Sequence, residues 1–167
     1  MQLKIDVLSG EAFALFGVAI TQPQTAPQAS GQGWQWWGHL ALLPGAGDGY
    51  GYGIGYLDLQ PAGPVRIDWA ERHADTYEFL APAGEDCLLY VAPADHPDEL
   101  NRLPRLDRFR LFRVRPGQAV VLNPKVWHGA PLALEQPTKV MVALRWDTGP
   151  DNSCIVPFAS DVIEAAG

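Results

Sequence analysis

The sequence predicts an all-β domain of short antiparallel strands with one or two short helices. Apolar runs that alternate with polar residues, or that are rich in branched and aromatic residues, recur along the chain. Glycine and proline, 17 and 15 in number, separate these runs without a fixed period, as turns do between strands. Strands at this spacing are typical of a two-sheet sandwich or barrel that encloses a pocket. The 167 residues fit a single domain spanning residues 1–167.

The segment from Tyr50 to Leu59 has the clearest strand pattern. Its sequence, Y-G-Y-G-I-G-Y-L-D-L, places large side chains on one face and glycines on the other. Each interior glycine would cost a helix about 1 kcal/mol, which excludes a helix here. A phosphate-binding loop is also excluded, because no G-K-[S/T] follows. We therefore expect a strand that borders a cavity or approaches another backbone closely.

The remaining elements follow from the same periodicity. Runs with strand character are Gln2–Val7, Val65–Ala70, Tyr77–Leu80, Cys87–Ala92, Arg108–Val114, Ala119–Leu122, Val140–Trp146 and Cys154–Phe158. Ser9 predicts the N-cap of a short helix that Gly17 would end, and Ser160 the cap of a terminal helix from Asp161 to Ala166. Residues 21–33, rich in glutamine, proline, alanine and glycine, predict a flexible loop.

Composition excludes several classes of partner. A net charge of −7 would repel the phosphates of nucleic acid, so we expect no nucleic-acid partner. No apolar run approaches a membrane span and no charged-then-apolar leader begins the sequence, so we expect a cytoplasmic protein without a membrane partner. Cys87 and Cys154 are too few for a disulfide framework, and we expect free thiols.

An aromatic cluster of Trp34, Trp36 and Trp37 directly follows the predicted loop. A group of this size needs a core or a partner chain to cover it in water. We therefore expect it either to anchor a strand to the core or to form the interface of a homodimer.

The residues best suited to chemistry lie on and beside one predicted strand. Glu71 and His73 are two apart and share a face, and Glu78 opens the next apolar run. His128 adds a second imidazole in the segment N-P-K-V-W-H. These four side chains can hold a divalent metal such as nickel, manganese or iron in a mixed nitrogen and oxygen site, or they can move protons. The alternative is a structural network of polar residues at strand ends.

The spacing of these residues resembles the two signature motifs of the cupin superfamily. The residues that match the first motif, an H-x-H followed by E and G, are Glu71, His73, Glu78 and Gly84. Those that match the second motif are Gly117, Pro124 and His128. The resemblance implies a cupin-like antiparallel jelly-roll barrel. Because Glu71 stands in place of the first histidine, we expect any metal to be bound weakly.

A closer resemblance is to the ureidoglycolate lyase family of cupin-like enzymes. The segments that carry it are E-R-H, V-W-H, a late D-N-S-C and the opening L-S-G-E-A-F-A-L-F-G. The resemblance implies release of urea from ureidoglycolate to leave glyoxylate, in allantoin and purine degradation. It also implies a catalytic group of His73, His128 and Glu71, in which an imidazole near neutrality serves as the base.

The substrate of such a reaction carries a carboxylate, which requires a cation. Lys125 and Arg145 are the candidates, because Arg72 faces away from His73 by strand alternation. The further candidates for substrate contacts are Glu78, Trp127 and Asn123.

Two positions near the V-W-H histidine depart from the family. The family has histidines where this chain has Asn123 and Gly129. Their absence predicts an enlarged pocket and either a slower enzyme or a bulkier substrate. The competing hypotheses are another cupin enzyme, such as a metal-dependent isomerase or dioxygenase, and a non-catalytic cupin that binds a small molecule.

Overall fold

The structure is a computed structural model that describes residues 1–45, 50–61, 63–148, 152–159 and 162–165, apart from the side chain of Trp34. The helical elements are α1 (Gly10–Phe13) and a 3-10 helix (Leu106–Arg108). The strands are β1 (Gln2–Leu3), β2 (Ile5–Val7), β3 (Gly17–Ile20), β4 (Ala29–Gly31), β5 (Trp34–Trp36), β6 (Tyr52–Leu59), β7 (Arg66–Ile67), β8 (Trp69–His73), β9 (Glu78–Pro82), β10 (Cys87–Ala92), β11 (Arg110–Val114), β12 (Ala119–Leu122), β13 (Trp127–His128), β14 (Leu132–Ala133), β15 (Thr138–Arg145), β16 (Ser153–Pro157) and β17 (Ile163–Ala165). No helix in the described ranges is long and apolar enough to cross a bilayer.

Two main sheets pack face to face. The seven-stranded sheet has the order β16-β8-β13-β10-β11-β2, with β14 also paired to β10. The five-stranded sheet has the order β3-β12-β9-β15-β6. The connection from β2 to β3 runs through the short helix α1, which places these two strands on the same side of the sandwich. The opposite side, between β16 and β6, is where the two sheets remain open.

The core has two layers, one on each face of the seven-stranded sheet. Leu89 and Val91 of β10 face the five-stranded sheet, while Leu88 and Tyr90 face a second cluster beneath β7 and β17. Every residue of β10 is consequently buried. A strand buried on both faces must be apolar throughout, which explains the continuous run from Cys87 to Ala92.

The N-terminal helix closes one side of the sandwich. Ser9 Oγ accepts a hydrogen bond of 3.1 Å from the amide of Ala12, which confirms the predicted cap. Phe13 and Phe16 are buried, and the Phe13 ring packs edge-on against Phe112 at 5.2 Å between ring centres. The helix ends at Phe13, so the prediction that Gly17 ends it is wrong.

The predicted C-terminal helix is also wrong. Residues 163–165 form β17, which pairs in parallel with β1 and antiparallel with β7, and the Ile163 side chain is fully buried. Pairing with two distant strands outweighs a local preference for a short helix, since that segment has few residues to stabilise one. Residues 160, 161 and 166 of that prediction lie outside the described residues.

The predicted loop of residues 21–33 contains β4, which forms a small antiparallel sheet with β5. Trp36 on β5 is 58% exposed, so it does not anchor this strand in the core. Trp37 is half-buried, and its Nε1 donates a hydrogen bond of 2.9 Å to the carbonyl of Thr25. The homodimer interface remains a prediction for this cluster.

Candidate active site

Three buried side chains from the two sheets converge between the sheets. Glu78 Oε2 lies 2.8 Å from His128 Nε2 and 3.4 Å from His73 Nε2. The two imidazole ring centres are 5.2 Å apart. All three residues are at most 8% exposed. A carboxylate from the five-stranded sheet therefore bridges two imidazoles of the seven-stranded sheet.

Strand register explains how these residues meet. β13 pairs with β8 so that His128 lies opposite Glu71, and His73 follows on the same face of β8. Glu78 pairs with Leu122 of β12, a core residue, so its side chain points between the sheets. The segments around His73 and His128 therefore meet, and both imidazoles contact Glu78.

Hydrogen bonds to the Nδ1 atoms orient both imidazoles. His128 Nδ1 lies 2.9 Å from the carbonyl oxygen of Val126, and His73 Nδ1 lies 3.0 Å from Ser153 Oγ. A carbonyl oxygen only accepts hydrogen bonds, so Nδ1 of His128 carries a proton and donates it. Both rings consequently turn their Nε2 atoms towards Glu78.

The electrostatics of Glu78 and His128 favour the charged form of both side chains. Burial opposes the charged form of Glu78, but His128 and His73 outweigh it and lower the pKa of this carboxyl from 4.5 to about 2. Burial also disfavours a charged His128, yet Glu78 and the Val126 carbonyl raise its pKa above the ordinary 6.5. The arrangement therefore stabilises a carboxylate beside an imidazolium.

The three residues also fit a divalent metal. Their ligand atoms all lie within 4.8 Å of one another. Glu78 Oε2 and His128 Nε2 approach to 2.8 Å, but the two atoms are not aligned for a hydrogen bond, and neither makes a hydrogen bond to another described residue. Two imidazole nitrogens and a carboxylate oxygen are a donor set that divalent transition metals accept. A proton and a metal would compete for the same nitrogens.

The comparison with protein families decides which family the chain belongs to. A family model described as ureidoglycolate lyase matches residues 1–162. The chain belongs to the ureidoglycolate lyase family. This family is one of lyase enzymes, and the predicted resemblance to it is confirmed. A comparison with curated protein sequences finds no match.

Several solved structures resemble the chain at low sequence identity. A dTDP sugar isomerase from Desulfovibrio desulfuricans G20 superposes with a TM-score of 0.50 and 14% identity, covering 84% of this chain and 74% of that one. An oxalate decarboxylase from Lactobacillus farciminis has a TM-score of 0.43 and 12% identity, and the match covers 62% of this chain and 26% of that one. A Mycobacterium tuberculosis RmlC epimerase has a TM-score of 0.44 and 11% identity, with 60% and 48% covered. The predicted cupin-type jelly roll is confirmed, with sheets that do not close into a barrel.

Glu71 lies next to the group formed by His73, Glu78 and His128 but is not part of it. It is half-buried on the same face of β8 as His73. The group whose ligand atoms lie within 4.8 Å contains His73, Glu78 and His128 without Glu71. Its charge still reaches the site, because it adds to the rise in the pKa of His128. Glu71 is thus placed as a neighbouring carboxylate rather than a fourth ligand.

The structure does not bring the two predicted carboxylate-binding cations to this group. Lys125 Nζ lies 4.0 Å from Asp98 Oδ1, in the surface loop after β10. The Lys125 amide does support the site, because it donates a hydrogen bond of 2.7 Å to the carbonyl of His73. Leu144 packs on the core, so the next residue, Arg145, projects from the other face of the sheet. There the Nη1 atom of Arg145 lies 3.3 Å from Asp75 Oδ2.

Trp127 and Asn123 also lie apart from the three residues. Trp127 alternates with His128, is fully buried in the second core layer, and lies beneath the Arg72 guanidinium at 4.8 Å. Asn123 is exposed just after β12, where its amide donates to the carbonyl of Phe16 at 2.9 Å. The substrate contacts assigned to both residues remain predictions.

Gly129 does not enlarge the pocket, so that part of the prediction is wrong. A Cβ at Gly129 would collide with the hydroxyl and ring of Tyr90. Tyr90 Oη donates a hydrogen bond of 3.1 Å to the carbonyl of Trp69 in the second core layer. The space of the family's second histidine is therefore occupied by a tyrosine on the face opposite His128.

Sequence reasoning missed the two residues that hold His73 in place. Ser153 pairs with His73 across β16 and β8, and its hydroxyl contacts the imidazole. Asn152 Oδ1 accepts hydrogen bonds from the amides of Ala74 and Asp75 at 2.9 and 3.1 Å, which fixes the turn directly after His73. Both residues belong to the D-N-S-C segment, which resembles the family. Its position in the sequence did not show that it contacts His73.

Arg72 supports the opposite face of the same strand. Its guanidinium is almost fully buried and donates to the carbonyl oxygens of Leu100, His96 and Glu99 at 3.1, 3.1 and 2.6 Å. Three carbonyl acceptors compensate the buried charge without a carboxylate. The prediction that Arg72 faces away from the site is confirmed, and its role here is to bind the 96–100 segment to β8.

Proposed function

We propose that this chain is a ureidoglycolate lyase that releases urea from ureidoglycolate and leaves glyoxylate. The observation that carries the proposal is the buried Glu78 between His73 and His128 in a member of this family. The reaction needs a base for the hydroxyl proton and an acid for the departing nitrogen. Two imidazoles that share one carboxylate would supply both groups side by side.

We assign a different role to each imidazole. Ser153 Oγ contacts Nδ1 of His73, and we assign the Nε2 atom of that ring as the base that takes the proton of the substrate hydroxyl. The carbon–nitrogen bond breaks as the carbonyl of glyoxylate forms. His128, held in its protonated form by Glu78 and by the Val126 carbonyl, gives its Nε2 proton to the urea nitrogen. The two transfers balance, and Glu78 remains ionised throughout.

A divalent metal held by His73, Glu78 and His128 would supply Lewis-acid activation of the substrate oxygens. Nickel, manganese and iron are the candidates for a mixed nitrogen and oxygen donor set. With those nitrogens engaged, Glu71 is the carboxylate that remains on the same face and would accept the hydroxyl proton. This arrangement also suits the second candidate function, a metal-dependent cupin isomerase or dioxygenase.

We further propose a cytoplasmic homodimer that acts in allantoin degradation on a small carboxylate substrate. An apolar row on the outer face of the five-stranded sheet supports the dimer. Met141 pairs with Tyr56 there, next to Ile54, and all three are exposed. Exposed patches of this kind mark protein interfaces.

The test of the lyase follows glyoxylate release from racemic ureidoglycolate by the purified full chain. We expect activity from the wild type, and a loss of about 100-fold or more in His73→Ala and His128→Ala, because each removes one proton-transfer group. Metal-stripped protein, and protein reloaded with nickel, manganese or iron, separates the metal-free route from the metal-dependent one. Wild-type protein that does not exceed the uncatalysed rate in any of these states would refute the proposal.

A further inference from the structure

An apolar pocket of about 490 Å³ lies beside Glu78 on the inner face of the five-stranded sheet. In the register of β15 and β9, Val142 pairs with Leu80, which places Leu144 opposite Glu78. Leu144 is in turn paired with Gly53 of β6. Adjacent strands are about 4.8 Å apart, so the pocket begins one strand away from Glu78.

The inner face is apolar because of how β6 and β15 alternate. Val142 is buried in the core, and Leu57 and Leu144 pack against it, so their faces point between the two sheets. Gly53 and Gly55 lie on this same face of β6. The lining on this face includes Gly53, Gly55, Leu57, Val142, Leu144 and Trp146, and the other lining residues are Ile54, Tyr56, Arg145, Asp147 and Thr148.

The two glycines create the space. A Cβ at Gly55 would meet no atom within 4 Å, so the region in front of it is open. A Cβ at Gly53 would lie 3.2 Å from Cε3 of the Trp146 ring, which covers that glycine. The alternating glycines of this strand therefore serve to leave a slot bounded on one side by an indole.

A large apolar side chain that lines the slot and another on the facing sheet are both exposed. Trp146 is 66% exposed, and Ile155 of β16 is 64% exposed. Ile155 alternates with Ser153, whose hydroxyl contacts His73, so it faces the same side as the imidazole. Exposed apolar groups on both sides of a buried polar centre form a surface for an apolar part of a ligand.

Ureidoglycolate leaves this surface unused. Its urea end is polar, and burying an amide against apolar walls without hydrogen-bond partners costs free energy. An acyl group with an aliphatic or aromatic substituent would instead cover Leu144, Leu57 and Trp146.

We propose that the preferred substrates are α-hydroxyglycines whose nitrogen carries an apolar acyl group, with that group in the slot beside Glu78. The inference rests on the proposed lyase function and names its substrate class. The step is the same: the hydroxyl gives up its proton, the carbon–nitrogen bond breaks, and the nitrogen gains a proton. The products are glyoxylate and a primary amide, so atoms and charges balance without a co-reactant.

The experiment compares N-benzoyl-α-hydroxyglycine with ureidoglycolate as substrates of the full chain, with glyoxylate as the common readout. We expect kcat/KM to be at least about tenfold higher for the benzoyl compound, the scale of discrimination by an apolar pocket. Gly55→Val fills the open slot and should lower that ratio to about one. Asp58→Val, a matched substitution on the outer face of the same strand, should leave the ratio unchanged.

The outcomes separate the two proposals. Cleavage of ureidoglycolate alone, or equal cleavage of both substrates by the wild type, would overturn the substrate class and leave the lyase intact. Cleavage of neither substrate would overturn both proposals. Product inhibition of the wild type gives a second measurement that needs no variant. Benzamide should inhibit at about tenfold lower concentration than urea. Equal inhibition by the two amides would contradict binding of the acyl group in the slot.

Discussion

Ser153 Oγ lies 3.0 Å from Nδ1 of His73, although 80 residues separate the two in sequence. The contact fixes the imidazole so that its Nε2 faces Glu78. Hydrogen bonds of this kind orient the catalytic or metal-binding atom of a histidine without touching substrate.

Ser153→Ala should lower kcat/KM by about 10- to 100-fold, because the ring loses the partner that orients it. Ser153→Thr keeps a hydroxyl and should retain most of the activity, which serves as the matched control. The measurement pairs glyoxylate kinetics with thermal unfolding. A Ser153→Ala protein with unchanged kinetics, or one whose loss is explained by unfolding at the assay temperature, would contradict the role.

Glu78→Gln should destabilise the fold by about 3–5 kcal/mol, because it removes one partner of a buried charge pair. The control is Asp58→Asn, which breaks the exposed pair with Lys139 and should have a much smaller effect, because solvent screens exposed charges. Urea unfolding of the three proteins at one pH gives both values. Equal costs for the two substitutions would show that the buried pair contributes no more than a surface one.

The contribution of the Glu78–His128 pair to stability should depend on pH. The Glu78 pKa is lowered on folding, so its contribution is present above 4.5 and is lost as the pH falls towards about 2. The His128 pKa is raised on folding, so its contribution is present below 6.5 and is lost as the pH rises through the folded value. The difference in unfolding free energy between the wild type and Glu78→Gln should thus be largest between pH 4.5 and 6.5. A difference that is flat with pH would argue against the pair.

Metal binding should depend on three residues and not on Glu71. We expect His73→Ala, Glu78→Ala and His128→Ala to abolish binding of added nickel or manganese, while Glu71→Gln binds within about tenfold of the wild type. Binding should release about one proton, since the metal displaces the Nε2 proton of His128. Calorimetry in two buffers of different ionisation heat measures both. Loss of binding in Glu71→Gln would extend the ligand set to a fourth residue.

Gly129→Ala should destabilise the protein by about 1–3 kcal/mol, because the new methyl group has to displace the Tyr90 hydroxyl. The control is Gly45→Ala, where a Cβ meets nothing within 4 Å. Thermal unfolding distinguishes the two variants. A Gly129→Ala protein as stable as the control would mean that Tyr90 moves aside without cost.

Much of the fold could be predicted because strand alternation is local. Period two alone placed Glu71 and His73 on one face of β8 and turned Arg72 to the other, as observed. The apolar run of β10 likewise required burial on both faces. The glycines of β6 indicated a strand bordering a cavity, and they lie on the inner face beside the slot.

Other features depended on contacts that no local pattern contains. The C-terminal segment reads as a short helix, but pairing with β1 and β7 makes it a strand. The direction of the Lys125 side chain depends on a loop whose path the sequence does not specify. Whether Gly129 leaves a space depends on Tyr90, which comes from a neighbouring strand.

The sequence by itself determined the two-sheet architecture, the family and the identities of His73, Glu78 and His128, because periodicity and spacing are properties of single segments. Only the tertiary structure decided that these three, without Glu71, share one centre and that Ser153 orients it. The reason is geometric: side chains on different strands meet according to register and sheet order. Those are set by the packing of the whole core rather than by any one stretch of chain.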